Sequence, residues 1–301
     1  MLCLKHKLFL PLILIVYTVL SIFPNLSYGK EVGGIISADT TWSLEESPYT
    51  VTSNIFISQG VTLSIEPGVV IKFQPGTILQ VNGCLKAIGE PDKVILFTSD
   101  EPDPKPGDWG GIVFTNSSVD ASYDDDGNYL SGSIIKYCKI QYGGSANQGS
   151  LHIDSSQPLI ENSTIEKSGN NGIYIQSGKP KIKGNSIEHN KEYGVYVYQW
   201  GEYADISDNY IAYNESGGIA FLYASGSVLN NRIVYNNGTG VESYGNSLYV
   251  KWNIIYGNNI GISANSGSCY IHKNIVGNNS GDGILIGAEG EITDNIIFGN
   301  G

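Results

Sequence analysis

Ile206-Ser207-Asp208-Asn209-Tyr210-Ile211-Ala212-Tyr213-Asn214, followed by Gly217-Gly218-Ile219-Ala220-Phe221, is a phrase that returns along this chain. It comes back as Val228-Leu229-Asn230-Asn231-Arg232-Ile233-Val234-Tyr235-Asn236, followed by Gly240-Val241. Asn185, Asn209, Asn231, Asn253, Asn274 and Asn295 hold the same slot, with Ser163 and Cys138 in it earlier. The steps from Cys138 onward are 25, 22, 24, 22, 22, 21 and 21 residues. Three residues before each slot stands an aliphatic: Ile135, Ile160, Ile182, Ile206, Val228, Val250, Ile271 and Ile292. Two residues after it stands another, from Ile140 and Ile165 to Val276 and Ile297. Five residues after it runs a second series, Asn190, Asn214, Asn236, Asn258, Asn279 and Asn300. A glycine and an alternating strand close the repeat, as in Gly172-Ile173-Tyr174-Ile175 and Gly194-Val195-Tyr196-Val197.

Each repeat therefore offers three short strands and no helical period. A strand of three to five residues cannot bury itself. Coiling with a period near 22 residues stacks each strand on its counterpart in the next coil, which makes three parallel sheets around one apolar core. The pattern predicts an all-β, single-stranded parallel β-helix of about ten coils, a rod of about 45 Å at ~4.8 Å per coil. Asparagine suits the bends because it tolerates left-handed backbone geometry. Stacked asparagine side chains can also bond along the axis as ladders.

On these residues the chain, over roughly 50–301, resembles the right-handed parallel β-helix proteins of the pectate-lyase-like superfamily. Within it, the chain looks like secreted proteins with carbohydrate-binding or sugar-hydrolase-type β-helix repeats. The resemblance implies that the asparagine turn is that family's second turn. It also implies that the Gly-Ile-x-Ile strands form its first sheet, whose outer face often lines a substrate cleft. A repeat of this kind specifies a fold far more than a function.

The chain divides accordingly. Residues 1–29 have the pattern of a secretory signal peptide: Lys5, His6 and Lys7, an apolar run from Leu8 to Leu20, and small residues before Lys30. That run is short of the ~20 residues that span a bilayer, and no later stretch is long enough. Residues 30–50, with Trp42, are expected to cap the N-terminal end against edge pairing. Residues 51–301 are the solenoid, interrupted by an acidic insertion at 116–133. The sequence stops at Gly301, where another Gly strand is due, so the C-terminal end is expected to be an open coil or a cut.

Composition narrows the partners. The 301 residues carry 17 basic and 29 acidic side chains, with a single arginine, Arg232. A net charge of −12 argues against nucleic acid, which needs a basic footprint. Cys84, Cys138 and Cys269 have neither disulfide-framework nor metal-ligand spacing, and are expected to be buried apolar groups. An export signal places the protein outside the cytoplasm: secreted, periplasmic or at the cell surface.

Strand alternation locates the candidate sites. The outward row on the Gly strands reads Val113, His152, Tyr174, Tyr196, Ala220, Glu242, Ser263 and Leu285. The next outward row reads Thr115, Asp154, Gln176, Tyr198, Leu222, Tyr244 and Asn265. Tyr174, Tyr196 and Tyr198, with Trp200 just beyond, form a candidate surface for sugar rings, which are apolar on one face and hydroxylated at the rim. His152, Asp154 and Tyr174 are the candidates for acid–base chemistry. Asp154 and Glu242 stand four coils apart, ~19 Å. That is too far for a glycosidase pair, which needs about 5–9.5 Å. The resemblance implies an arginine base for a pectate lyase, but Arg232 is alone and on another sheet. The Gly-His-Gly and Asn-x-Asp motifs of polygalacturonases are absent. Asp124, Asp126 and Asp154 are the candidates for a hard cation such as Ca²⁺, although the insertion lacks the spacing of an EF-hand loop. Lastly, Ile254, Ile275 and Ile296 form an outward apolar stripe, the kind of surface that meets a protein partner or a further C-terminal segment.

Three functions fit these residues. The first is a non-catalytic binding or display module, with polysaccharide as its ligand. The second is a polysaccharide lyase, epimerase or glycoside hydrolase. The third is a periplasmic accessory or scaffold protein.

Overall fold

The computed structural model describes residues 29–145, 148–198 and 203–301. The signal-peptide segment lies outside them. Three columns of parallel strands wind around one core for about 12 turns, close to the ten expected. The first column holds the Gly strands, and Leu151, Ile173, Val195, Ile219, Val241, Ile262 and Ile284 stack in register along it. The second stacks the aliphatics that precede the asparagine slot, from Ile160 and Ile182 to Ile292. The third stacks those that follow it, from Ile165 and Ile187 to Ile297. Most of these side chains are fully buried. The N-terminal coils bury aromatics in the core, among them Tyr49, Phe73, Phe97, Trp109 and Phe114. Phe73 stacks on Trp109 with centroids 4.0 Å apart, and the Trp109 indole N–H donates to the Gln141 carbonyl at 2.9 Å.

Residues 30–50 carry strands that join the columns of the solenoid at its N-terminal end. Lys30–Ile36 pairs in parallel with Tyr49–Ile57, and Thr40–Trp42 pairs with Thr62–Ile65. The three cysteines are buried and unpaired, and burial pushes the Cys269 thiol up to about 12. The outward stripe is 40% exposed at Ile254, 38% at Ile275 and 60% at Ile296.

Two asparagine columns fasten the coils. In the first, the Asn209 side-chain oxygen accepts from the Asn185 backbone N–H at 2.9 Å and from its carboxamide at 3.0 Å. Asn231 does the same for Asn209, Asn253 for Asn231, and Asn274 for Asn253. Each carboxamide also donates backward to a strand carbonyl, as Asn231 does to Ile206 at 2.9 Å. Asn190, Asn214, Asn236, Asn258 and Asn279 repeat the arrangement at the second turn, with Ser168 joined to its start. These groups are out of contact with water, where an unmade bond is expensive.

The left-handed residues are not the ladder asparagines. They are the residues just before them: Gly184, Asp208, Asn230, Trp252, Lys273 and Asp294 at one turn, and His189, Tyr213, Tyr235, Gly257 and Asn278 at the other. The preceding residue turns the corner, and the ladder asparagine then points its carboxamide along the axis. At Gly184 a Cβ would also come within 2.5 Å of the Asn162 carboxamide oxygen, so space as well as backbone geometry favours glycine there.

Asn231→Ala removes the acceptor of a buried Asn209 N–H together with a donor to Ile206. A loss of about 2–4 kcal/mol in urea unfolding is expected. Asn295→Ala, in a coil where the group is only partly buried, should cost about 1 kcal/mol.

Candidate functional site

The first column carries the site on its outer face. His152 pairs in register with Tyr174, Tyr174 with Tyr196, Tyr196 with Ala220 and Ala220 with Glu242, so the outward row is as the alternation predicts. The second row holds through Tyr198, Leu222 and Tyr244, then shifts by a bulge, so that Ser266 and not Asn265 follows Tyr244. Tyr174 and Tyr196 lie nearly parallel, 14° apart with centroids at 5.8 Å. Tyr193 tilts against Tyr196 at 5.5 Å, and Tyr198 meets Tyr223 edge-on at 6.2 Å. Trp200 lies outside the described residues.

These rings border a shallow concavity of about 430 Å³. Tyr174, Tyr193, Tyr196, Tyr198 and Leu222 supply its apolar lining, and Asn170, Asn171, Gln148 and Glu192 its polar edge. Asn171 ties two coils together there: its carboxamide donates to the Gln148 carbonyl at 2.7 Å and accepts the Tyr193 backbone N–H at 3.1 Å.

Tyr193 and its partner escaped the sequence reading. The Tyr193 hydroxyl donates to Glu242 Oε2 at 2.8 Å, across 49 residues of chain and two coils. Its ring can run that distance because Gly217 stands beneath it, where a Cβ would come within 2.7 Å of Tyr193 Cε1. The doubled Gly217-Gly218, where neighbouring repeats have Tyr193-Gly194 and Thr239-Gly240, was the available signal. Burial and the bond to Glu242 raise the Tyr193 pKa strongly. Burial likewise raises those of Tyr174 and Tyr196, and the bond to Glu242 raises that of Tyr244.

The acid–base candidates come together only in part. His152 meets the Tyr174 ring edge-on at 5.1 Å, and its Nε2 lies 3.3 Å from Gln176 Oε1. Its Nδ1 is buried with no hydrogen-bond partner among the described residues, so no carboxylate orients the ring. Burial lowers the His152 pKa and favours the neutral imidazole. Tyr174 is 5% exposed and packs as a floor between coils. Asp154 stands one position off this row and accepts from the Ser155 hydroxyl at 3.1 Å.

The cation candidates are not brought together. The insertion folds as an antiparallel hairpin of Ser122–Tyr123 and Tyr129–Ser131. Asp124 spends its oxygens on the hairpin's own turn, accepting from the Asp126 N–H at 3.1 Å, the Asn128 N–H at 2.7 Å and the Asn128 carboxamide at 3.0 Å. The hairpin leans on the second column, where the Lys181 ammonium sits 3.5 Å from the centroid of the Tyr123 ring. No group of three His, Cys, Asp or Glu side chains among the described residues is placed to hold a metal ion.

The architecture is that of a single-chain parallel β-helix with an aromatic groove along one face. The chain belongs to the right-handed β-helix family. Residues 110–226 and 151–301 match the family described as right handed beta helix region, and residues 34–155 match the pectate-lyase like beta helix domain. No curated protein sequence matches it. Among solved structures it is similar to the A-module of the Azotobacter vinelandii mannuronan C-5 epimerase AlgE4, at 13% identity and a TM-score of 0.50, over 90% of this chain and 87% of that one. It is also similar to the periplasmic alginate epimerase AlgG, at 13% identity and 0.42, over 89% and 84%. The pectate lyase Pel9A aligns at 13% identity and 0.40, over 75% and 56%. At such identities the likeness is one of fold.

The His152 imidazole is half-buried. A histidine whose folded pKa lies below its unfolded 6.5 takes up protons more readily when unfolded, so stability falls as pH drops through 6.5 and levels off below the folded value. An NMR titration of His152 should give a midpoint below 6.5. His152→Asn should flatten that part of the stability profile.

Proposed function

We propose that the protein is a secreted or cell-surface binding module that holds a polysaccharide along the aromatic groove of the first column, without acting on it. The observation that carries this reading is the run of tyrosines across adjacent coils, Tyr174, Tyr196 and Tyr198, with Tyr193 beside them and carboxamides at their edge. Aromatic faces take the apolar faces of sugar rings, and fixed polar groups at the rim take the hydroxyls. An open groove along a rod admits a polymer, since neither end of the ligand needs to be enclosed.

The chemistry of the site supports binding over turnover. His152 is largely shielded and has no orienting carboxylate. Tyr174 is mostly covered, a support for the neighbouring rings more than a reacting group. The export pattern at the N-terminus supports a location outside the cytoplasm. No helix among the described residues is long and apolar enough to cross a membrane.

The test is a polysaccharide panel, followed for binding by calorimetry and for new unsaturated or reducing ends. Binding without new ends is expected. Tyr196→Ala and Tyr198→Ala should each weaken it about tenfold, roughly 1.4 kcal/mol, with the unfolding midpoint nearly unchanged. New ends that vanish in His152→Ala would make the protein an enzyme and reverse the reading.

A further inference from the structure

We infer that the groove selects polysaccharides without carboxylates, neutral or amino-bearing chains, and rejects polyuronates. This deepens the binding reading above and rests on it. The argument is one of charge placement. A polyuronate brings one carboxylate per sugar, and a site for it must offer cations or a bridging metal ion. The strands of the first column, from residues 34–36 to Ile284–Ile286, contain no lysine or arginine within that column. Arg232 is on the third column. Carboxylates instead stand at the groove's edge and beside it on the same face. Glu192 is part of its edge, Glu242 stands two coils beyond Tyr196 in the same outward row, and Asp154 lies on the parallel row next to His152.

Glu242 is held in place rather than left to swing away. It accepts from the Tyr193 hydroxyl at 2.8 Å, across two coils. Its charge is therefore a fixed feature of the groove. Lys191, beside Glu192, pairs with Glu215 at 3.8 Å, and Lys167 pairs with Glu166 at 3.5 Å. Lys179 lies in the turn that leaves the Tyr174 strand, outside the strands of the first column, and its side chain is exposed. No described cluster of side chains is placed to hold a bridging cation. The chain's net charge of −12 adds to the repulsion of a polyanion. Carboxylates do accept hydrogen bonds from sugar hydroxyls, and they attract ammonium groups, so the same residues favour the ligands proposed.

The experiment compares ligands that differ only in charge. Polymannuronate and polygalacturonate are each tested beside their carboxyl-reduced counterparts, with neutral glucans, neutral mannans and a polymer of amino sugars completing the set. Affinity is measured with EDTA and with Ca²⁺, at low and at high salt, because the Debye length falls from about 30 Å at 0.01 M to about 3 Å at 1 M. Uncharged or amino-bearing chains should bind at least about tenfold more tightly than any polyuronate at low salt. Glu192→Gln with Glu242→Gln should narrow that gap, since glutamine keeps an acceptor for the Tyr193 hydroxyl at Glu242 and for the Ser216 hydroxyl that bonds Glu192, and removes the charge. A polyuronate that binds as tightly as its reduced counterpart, with or without Ca²⁺, would overturn charge selection and leave the binding reading standing. Failure of every polymer to bind would overturn both.

Discussion

The hydrogen bond from one asparagine's backbone N–H to the next asparagine's side-chain oxygen is the interaction on which the rest of the structure depends. Strand pairing alone does not fix how the chain turns between columns. At each turn, backbone groups leave the ladder inside a core that water does not reach. Asn185, Asn209, Asn231, Asn253 and Asn274 answer this by satisfying the turn of the preceding coil and bonding one another at once. Because each carboxamide both accepts and donates along the axis, each coil within the ladders is bound to two others. Register along the rod follows, and a one-residue slip would send buried aliphatics outward.

Fixed register is also what makes a surface site possible. Tyr174 and Tyr196 are neighbours because a coil of 22 residues brings them together, and Tyr193 reaches Glu242 because the next two coils, of 24 and 22 residues, keep the strands in register. The groove is thus assembled from residues far apart in sequence but at equivalent places in the repeat. Its supports lie in the same layer of bonds, with Asn171 joining the Gln148 and Tyr193 coils. Local chemistry then separates the side chains. Tyr174 is sunk as a floor and Tyr198 is left at the surface, although alternation gives both the same outward direction.

Much of this was legible in the sequence. The aliphatic series around Asn209 and Asn231 gave all three columns and their pairing, because periodicity in a repeat protein translates directly into neighbours. The outward row through His152, Tyr174, Tyr196 and Glu242 followed from strand alternation. Residues 30–50 were harder, since they fold as a coil without the asparagine phrase. The left-handed positions were misplaced by one residue, because asparagine suits both a left-handed bend and a ladder, and composition does not distinguish the two uses. Asp124 and Asp126 looked like ligands because acidic residues in a loop suit a cation. In the structure Asp124 is the acceptor that closes a hairpin turn, a role that depends on backbone N–H groups of Asp126 and Asn128 that the sequence does not display. The Tyr193–Glu242 bond was out of reach because it depends on a ring lying over Gly217, a matter of side-chain direction rather than of period.

Amide hydrogen exchange tests the central claim most directly. If the asparagine columns hold the coils, the backbone amides of Asn185, Asn209, Asn231 and Asn253 should be as protected as those of the buried strand residues Ile187, Ile211 and Ile233, even though they sit in turns. Exchange of those four amides at the rate of the exposed hairpin around Asp125 would contradict it, and would mean that strand stacking alone carries the solenoid.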